Sequence, residues 1–424
     1  MGKPKIRFEG YSEDWEQRKL GDITVKIGSG KTPSGGKSAY VETGIPLIRS
    51  QNVNGDKVDF ADIVFVDETT DESMANSRVY TNDVLLNITG ASIGRSAVYK
   101  GLESANVNQH VCIIRPTEGY QPDFIQLNLS SDNGQKQIDA SQAGGGREGL
   151  NFQEIGKMQF CFPSLNEQKC IGRYFNSLDH FITLHQRKCD ETKTLKKYML
   201  QKMFPQNGEK VPEIRFDGFT EDWEQRKLGD LIEDNIIIEQ SDGNHGELYP
   251  RSDEFTDAGI PYIAASAISS SGDDIDFNLV KYLPLKRAEQ FRKGVAQNGD
   301  ILLAHNATVG PCLQLSMEYD FAILSTSLTL FRINENKMNS KFFLQMLRSD
   351  LFQNQLFKYM KQTTRSQVPI LTQRKLEVCY PNNTQDQELI GTYLSNLDHL
   401  ITLHQRKCDE LRSVKKFMLQ NMFI

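Results

Sequence analysis

The sequence lacks every short motif that identifies a catalytic centre. It contains no HExxH, no nucleophile elbow and no glycine-rich dinucleotide fingerprint. Its nearest match to a phosphate-binding loop is the Gly/Ser/Lys-rich segment 28–38. That segment fails the required spacing, because Lys31 and Val25 stand where the motif needs glycine. We therefore interpret it as a flexible loop suited to approach a phosphate backbone, and we predict no catalytic residues.

Long apolar runs and paired cysteines are also missing. No run of 18 apolar residues occurs, so no membrane span is expected, and the first residues lack the apolar stretch of a secretory signal. The seven cysteines include no CxxC, which is typical of a reduced, cytoplasmic protein. The histidines at 180 and 185, and at 399 and 404, are five residues apart and do not share a helical face. We expect no metal site.

An excess of basic residues is missing as well. The 49 Lys and Arg residues face 55 Asp and Glu residues, for a net charge of −6. This balance argues against a generic nucleic-acid binder. It leaves room for a sequence reader, because the basic footprint can be local and partners can supply phosphate contacts. The length of 424 residues allows two or three domains.

What the sequence does contain is a long duplication. Residues 13–22 recur unchanged at 221–230, and residues 179–191 recur at 398–410 with only Phe181 replaced, by Leu400. The two offsets are 208 and 219 residues, so the second copy holds 11 more residues between the shared segments. A period this long indicates a duplicated domain-plus-helix unit. The repeated segments at the ends of each copy match, while the sequences between them differ. This pattern suggests a molecule whose two copies recognise two different targets.

Each copy combines short β-type runs with a late helix. Strands are predicted at 45–49, 62–66, 83–88, 107–115, 260–263, 300–303 and 321–333, and helices at 122–142 and near 340–361. The fold class is therefore α+β, with two mixed α/β domains. The predicted segments are a first domain at 1–163, a spacer helix at 164–204, a linker at 205–211, a second domain at 212–382 and a C-terminal helix at 383–424.

A strict 4-3 spacing of mostly apolar residues follows each domain, and we call these positions the seam. The seam comprises Ile171, Phe175, Leu178, Ile182, His185, Cys189, Thr192, Lys196, Met199 and Met203, and then Ile390, Leu394, Leu397, Ile401, His404, Cys408, Leu411, Lys415, Met418 and Met422. Two matching seams in one chain predict an antiparallel coiled coil with a pseudo-two-fold internal repeat. Pairing with other chains is the alternative. His185 and His404 either fix the register or are merely half-buried.

We predict that the helix-pair and subunit interface includes Trp15, Leu178, Ile182, His185, Met199, Trp223, Leu397, Ile401, His404 and Met418.

Polar clusters occupy the predicted loops between strands, where groups that read bases would be needed. Arg reads guanine bidentately, Asn and Gln read adenine, and Glu accepts a hydrogen bond from cytosine. Residues 144–148 and 362–367 rank first, because both follow the late helix of their copy. The candidates for DNA contact are Lys31, Ser34, Arg49, Gln51, Asn52, Ser92, Arg95, Arg147, Glu148, Asn244, His245, Lys286, Arg287, His305, Asn306, Gln362, Thr364, Arg365 and Gln367. The alternative is that these residues simply populate surface loops.

These features together resemble the specificity subunit of type I restriction–modification enzymes, over essentially the whole chain. The resemblance is carried by the duplicated Trp-Glu-Gln-Arg-Lys-Leu-Gly-Asp at 15–22 and 223–230, the two seam helices, and their Lys-Lys-x-Met-Leu-Gln-x-Met-Phe endings at 196–204 and 415–423. The Gly-Ile-Pro segments at 44–46 and 259–261 look like elements of that family's target-recognition domains.

The resemblance implies a division of labour. Each domain would be a target-recognition domain that reads one half of a split double-stranded DNA sequence, and the helices would set the spacing. The chain itself would have no catalytic activity and no cofactor. Modification subunits, two in number, would methylate adenine with S-adenosylmethionine, and restriction subunits would add ATP- and Mg-dependent cleavage in defence against phage. A rival interpretation is a bivalent adaptor that binds two proteins, which would need apolar rather than polar loop clusters.

Overall fold

The computed structural model describes residues 3–142, 149–206, 208–269, 272, 274–361 and 366–424. They form two compact units, Met1–His185 with Lys407–Ile424, and Gln186–Arg406. This division cuts both long helices, whereas the predicted boundaries kept helices and domains apart. Those boundaries stay a prediction. No helix of the described residues is both long and apolar enough to cross a membrane.

The first domain is built on two four-stranded sheets. Its strands are β1 Glu16–Lys19, β2 Thr24–Ser29, β3 Ile45–Ile48, β4 Val53–Asn54, β5 Lys57–Val58, β6 Val64–Val66, β7 Arg78–Val79, β8 Val84–Asn87, β9 Ser96–Val98, β10 Ala105–Val107, β11 Val111–Pro116 and β12 Gln159–Phe162. Its helices are α1 Glu68–Ser73, α2 Pro122–Ser130, α3 Asp132–Gln142 and α4 Phe152–Lys157, and the long helix α5 Leu165–Lys202 follows. The strand orders are β2-β11-β8-β9 and β6-β3-β10-β7, with the pairs β1-β12 and β4-β5.

The second domain repeats this topology. Its strands are β13 Glu224–Lys227, β14 Ile237–Asp242, β15 Ile260–Ile263, β16 Lys281–Leu283, β17 Val295–Ala296, β18 Ile301–Asn306, β19 Thr308–Gln314, β20 Ala322–Leu324, β21 Leu328–Ile333 and β22 Glu377–Tyr380. Its helices are α6 Leu228–Glu233, α7 Leu285–Ala288, α8 Ser340–Arg348, α9 Asp350–Met360 and α10 Ile370–Gln373, and α11 Thr384–Met422 follows. The orders β14-β21-β18-β19, β16-β15-β20-β17 and β13-β22 match those of the first domain. The predicted internal repeat and the α+β class are confirmed.

Each helix that was predicted near the end of a domain is in fact two helices, α2 and α3 in the first domain and α8 and α9 in the second. The predicted helix at 122–142 is interrupted at Ser131, whose hydroxyl accepts a hydrogen bond from the Gly134 N–H at 3.1 Å. Ser349 breaks the second copy in the same way and accepts from the Phe352 N–H at 3.5 Å. Each serine has an extended backbone conformation, which ends the first helix, and its side chain caps the next one.

In the first unit, the beginning of α5 packs against the end of α11. The Cys408 thiol donates to the Ile182 carbonyl at 3.6 Å, and the Lys415 ammonium lies 2.6 Å from the Asp179 carboxylate. Residue numbers fall along one helix as they rise along the other, so the two segments are antiparallel.

The second unit contains the equivalent pair, made from the end of α5 and the beginning of α11. The Cys189 thiol donates to the Ile401 carbonyl at 3.8 Å, and Lys196 forms an ion pair with Asp398. Every seam residue of both helices is buried or half-buried, including His185 and His404. The predicted antiparallel pairing within one chain is confirmed in each unit.

Each domain core is closed by the end of the other copy's helix. Met422 and Phe423, at the end of α11, are buried in the first core, where Phe423 packs against Phe124 and Phe175 at ring distances of 5.4 and 6.0 Å. Trp15 joins this cluster through Phe124 at 5.6 Å. Burying one such ring contributes about 2–3 kcal/mol.

The second core is closed in the same way by Phe204, which follows α5. Its ring lies 5.7 Å from Trp223 and 5.6 Å from Phe342. Both predicted interface tryptophans therefore lie inside domain cores, at the places where these helix ends dock.

A short N-terminal strap ties each domain to its own helix. Arg7 donates two hydrogen bonds of 2.7 Å to the buried Glu167 carboxylate, and Arg215 donates to the buried Asp386 carboxylate at 2.9 and 3.1 Å. Burial raises the pKa of Asp386 above its ordinary value even though the Arg215 guanidinium opposes this shift. The duplication thus extends to the Ile-Arg-Phe triplets at 6–8 and 214–216.

A charged cluster joins the first domain to the helix pair. The Lys415 ammonium lies 2.8 Å from Asp56, in the turn between β4 and β5, and 2.6 Å from Asp179 on α5. Burial lowers the pKa of Lys415, but the two carboxylates outweigh it and raise that pKa above its ordinary value. The lysine thus bridges two acids, one from the domain and one from α5.

At the equivalent junction of the second unit, the central residue is an acid instead of a lysine. Asp398 pairs with Lys196 on α5 and accepts from Arg348 of α8 at 2.8 Å and from Gln345 at 2.9 Å. Here one acid lies between two cations. The helix frame supplies the same Lys–Asp pair in both units, and each domain adds its own partner.

His305 is the one histidine among the described residues that lies deep in a domain core, 1% exposed. Its Nδ1 lies 2.9 Å from the Thr329 hydroxyl, which also accepts from Gln373 at 2.8 Å. Burial lowers the pKa of His305 to about 4. The folded second domain therefore holds this imidazole neutral at pH values where an unfolded chain would protonate it.

We predict that Lys415→Met destabilises the protein by about 2 kcal/mol, because it removes the ammonium that bonds to both Asp56 and Asp179. Lys196→Met should cost less, since Asp398 keeps its guanidinium partner. Chemical unfolding at pH 7 measures both changes. Lys416→Met, at an exposed neighbouring position, is the control. Equal losses for all three variants would contradict the role of the cluster.

A second prediction concerns acid stability. As pH falls from 6.5 to about 4, unfolded His305 gains a proton that the folded domain refuses, so stability should drop by about 3 kcal/mol over this window. His305→Gln should remove that part of the pH dependence. Urea unfolding, followed by Trp223 fluorescence in a Trp15→Phe background, reports the second domain. The idea fails if wild type and His305→Gln lose stability in parallel.

Candidate nucleic-acid interface

In the first domain, loops from three strands meet at one edge. Gly30, just after β2, crosses directly over the turn at 108–110 between β10 and β11. A Cβ atom at Gly30 would lie 1.7 Å from the Val107 carbonyl oxygen, so only glycine permits this approach. The Lys31 N–H donates to the same carbonyl at 3.3 Å. The predicted run at 107–115 was therefore wrong as one strand, because residues 108–110 form a turn inside it.

A chain of polar side chains spans this edge. The Thr32 hydroxyl donates to the Gln109 amide oxygen, and the Gln109 amide nitrogen lies 3.1 Å from His110 Nε2. His110 Nδ1 lies 2.5 Å from the hydroxyl of Thr89, just after β8. Gln109 and Thr32 are exposed, and the other two are half-buried. We call Thr32, Thr89, Gln109 and His110 the edge network.

The predicted contacts at 49–52 have mainly structural roles. Asn52 is 2% exposed, accepts from the Arg49 N–H at 3.0 Å and donates to the Asp59 carbonyl at 3.1 Å. Arg49 donates to the Asp62 carbonyl at 2.6 Å, and Gln51 donates to the Asp62 carboxylate. Asn52 is therefore not available to a base, while Gln51 is exposed.

Four further predicted residues of this domain lie on its loops. Lys31, Ser34 and Arg95 are exposed, and Ser92 is half-buried. The Ser92 carbonyl accepts from the Arg95 N–H at 3.2 Å, which shapes the β8–β9 loop. These positions suit contacts with a phosphate backbone.

The second domain presents the same backbone edge with different side chains. Gly243 replaces Gly30, and a Cβ atom there would lie 2.3 Å from the Leu324 carbonyl oxygen. The turn at 325–327 matches 108–110. Ser325 and Ser327 share a hydrogen bond of 2.6 Å, and Ser327 accepts from the Ala265 N–H at 2.9 Å. One scaffold therefore carries Asn-Gln-His in one copy and Ser-Thr-Ser in the other.

Three predicted contacts of the second domain have structural roles instead. Asn244 is 7% exposed and donates to the Lys293 carbonyl at 2.6 Å. Arg287 pairs with Glu254 at 2.8 Å and stacks over Phe291. His305 is buried, as described above. Burial and satisfied hydrogen bonds keep these side chains from reaching a base in this conformation.

The remaining predicted residues of this domain lie at or near its surface. His245 and Lys286 are exposed, and His245 bonds to Asp242 at 3.2 Å. Asn306 and Gln367 are half-buried and form an isolated β-bridge. That bridge matches the one between Thr89 and Gly149 in the first domain.

In sequence, Gly149 and Gln367 of these bridges lie next to or within the two segments that ranked first, 144–148 and 362–367. Arg147, Glu148, Gln362, Thr364 and Arg365 lie outside the described residues. Their flanks occupy equivalent places, since Leu150 donates to the Ile88 carbonyl at 3.0 Å and Val368 donates to the His305 carbonyl at 2.9 Å.

Sequence reasoning missed Gln109 and His110. An available signal was the polar triplet 108–110 between two apolar runs, matched by the triplet 325–327. Across the described residues, no group of three or more His, Cys, Asp or Glu side chains is arranged to hold a metal ion.

Comparison with known proteins adds independent support. The family model of the type I restriction modification DNA specificity domain matches residues 12–194 and 220–413. The chain is 22% identical over 414 residues to the type I restriction enzyme MjaVIII specificity subunit of Methanocaldococcus jannaschii, covering 95% of this chain and 91% of that protein. It is 28% identical over 184 residues to the EcoBI specificity subunit of Escherichia coli, covering 41% of this chain and 38% of that protein.

The fold is also shared with a solved structure. The type I restriction–modification S subunit from M. genitalium superposes with a TM-score of 0.66 at 14% identity, covering 100% of this chain and 99% of that one. The two segments that match the family model span most of the sequence, and each lies in one copy of the repeat. This chain therefore belongs to the type I restriction modification DNA specificity family, whose members are the non-catalytic specificity subunits of these enzymes.

Proposed function

We propose that this chain reads an asymmetric, bipartite DNA sequence, with one half-site bound by each domain. The observation that carries the proposal is the duplicated edge, where one backbone scaffold presents Gln109 and His110 in the first domain and Thr326 and Ser327 in the second. Different donors and acceptors on the same scaffold read different bases. The two half-sites should therefore differ.

The helix pair sets the spacing between the half-sites in this proposal. Readers that dock in successive major grooves on one side of DNA lie about 10 base pairs apart, centre to centre. Seam contacts and the charged clusters at Lys415 and Asp398 hold each domain to the helices. Fixed spacing follows from fixed helix register.

The chemistry belongs to partner subunits. Modification subunits use S-adenosylmethionine to methylate adenine, and restriction subunits use ATP and Mg to cleave DNA. In this proposal the chain itself needs none of these cofactors and acts in the cytoplasm. The rival function, a bivalent protein adaptor, would need apolar edges, whereas the side chains of the edge network are polar.

Exposed apolar residues on the helix pair offer a docking face for modification subunits. They stand beside the seam, at equivalent places in both copies, and they fall on the side that two antiparallel helices share. In the first unit they are Phe181, Val414 and Phe417, and in the second unit their equivalents Leu400, Leu195 and Tyr198 together with Leu403, each 41–55% exposed. A face that occurs once in each unit suits two copies of one partner.

The first test is a methylation map of genomic DNA from cells with and without this gene, by sequencing native DNA. We expect a split, asymmetric adenine-methylation motif that disappears with the gene. A strain that lacks the modification partner is the control and should lose the same motif. An unchanged methylome, with both proteins expressed, contradicts the proposed function.

The docking face predicts a change in stoichiometry. Phe181→Ser with Phe417→Ser should remove one of two modification subunits, and Tyr198→Ser with Leu400→Ser should remove the other. Native mass spectrometry of the assembled complex counts them. Lys197→Ser, an exposed change on the other side of the helix, should leave both bound. Retention of two subunits by both double variants would exclude this face.

A further inference from the structure

The amide of Gln109 has a fixed orientation in the edge network. Its oxygen accepts from the Thr32 hydroxyl, and this arrangement places the amide nitrogen beside His110. Its nitrogen can only donate, which makes His110 Nε2 the acceptor at 3.1 Å. The His110 proton then lies on Nδ1, which donates to the Thr89 hydroxyl at 2.5 Å. Three neighbours thus hold one exposed side chain in place.

Among the described residues, these bonds use half of the hydrogen-bonding capacity of the Gln109 amide. The oxygen keeps a second lone pair and the nitrogen keeps a second hydrogen. An adjacent acceptor and donor on one planar group match N6 and N7 of adenine in the major groove. The neighbours have less to offer, because both ring nitrogens of His110 and the hydroxyl hydrogen of Thr32 are engaged within the network.

We propose that Gln109 reads one adenine of the half-site bound by the first domain, and that His110, Thr32 and Thr89 act as positioning residues for it. This inference rests on the proposed function and names a specificity-determining residue within it. Exposed Lys31 lies on the same loop as Thr32, where it suits contact with a phosphate beside the base that is read.

The second domain provides a built-in comparison. Thr326 occupies the place of Gln109, because the Ser325 N–H donates to the Ile263 carbonyl at 2.8 Å just as the Asn108 N–H donates to the Ile48 carbonyl at 3.0 Å. A threonine cannot present the paired acceptor and donor of an amide. This amide contact with adenine is therefore expected in the first half-site and not at the equivalent place in the second.

The test uses the complex of this chain with its modification partner and a duplex carrying the mapped motif. Each adenine of the first half-site is replaced in turn by 7-deazaadenine, which lacks the N7 acceptor. In wild type, one replacement should weaken binding about 10-fold. In Gln109→Ala, unmodified DNA should already bind about 10-fold more weakly, and that same replacement should have no further effect. Thr326→Ala is the matched control and should leave the first half-site scan unchanged.

A second readout uses the methylome of cells that express Gln109→Ala. We expect the motif to accept other bases at one position of one half-site. Two results would overturn the inference: a variant with an unaltered motif and scan, or a uniform loss of binding with no position singled out. If wild type itself yields no motif, the proposed function falls together with it. A scan that fails beside an intact wild-type motif removes the role of Gln109 alone.

Discussion

The structure depends on an exchange of helix ends between the two copies. Neither domain completes its core from its own copy, because Phe423 closes the first core and Phe204 closes the second. A ring that docks among Phe124 and Phe175 holds the end of α11 at one place on the first domain. Within each unit, the register of the helix seam is thereby tied to the packing of the core. A shift of one heptad along the seam would empty the site of such a ring, which is costly in a closely packed interior.

Electrostatics adds specificity to this apolar closure. Both units use the same Lys–Asp pair across the two helices, but the first domain adds Asp56 and the second adds Arg348. A half-buried charge needs a partner of opposite charge. Each domain must therefore supply a side chain that complements the helix residue it contacts, Lys415 in the first unit and Asp398 in the second. The N-terminal straps also supply charge partners, because Arg7 and Arg215 neutralise buried carboxylates near the beginnings of α5 and α11.

At the loop edge of each domain, the backbone is shared between the two copies while the exposed side chains differ. Gly30 and Gly243 bring a loop directly onto equivalent turns, so the two backbones agree where the side chains diverge. Residues that shape the loops, such as Asn52 and Asn244, satisfy backbone groups inside the domain. The exposed members of each edge are then free to differ without a change in the backbone that carries them.

The sequence by itself determined the duplication, the strands with strong apolar runs and the two long helices, whose seam positions were all recovered. These features are local or periodic, so neighbouring residues decide them. The tertiary structure alone decided the breaks at Ser131 and Ser349, the turn hidden at 108–110, and the burial that removes Asn52, Asn244 and His305 from the surface. It also joined Lys415 to Asp56, which are 359 residues apart. Such contacts depend on where the assembled backbone places each side chain, and no spacing along the chain encodes that.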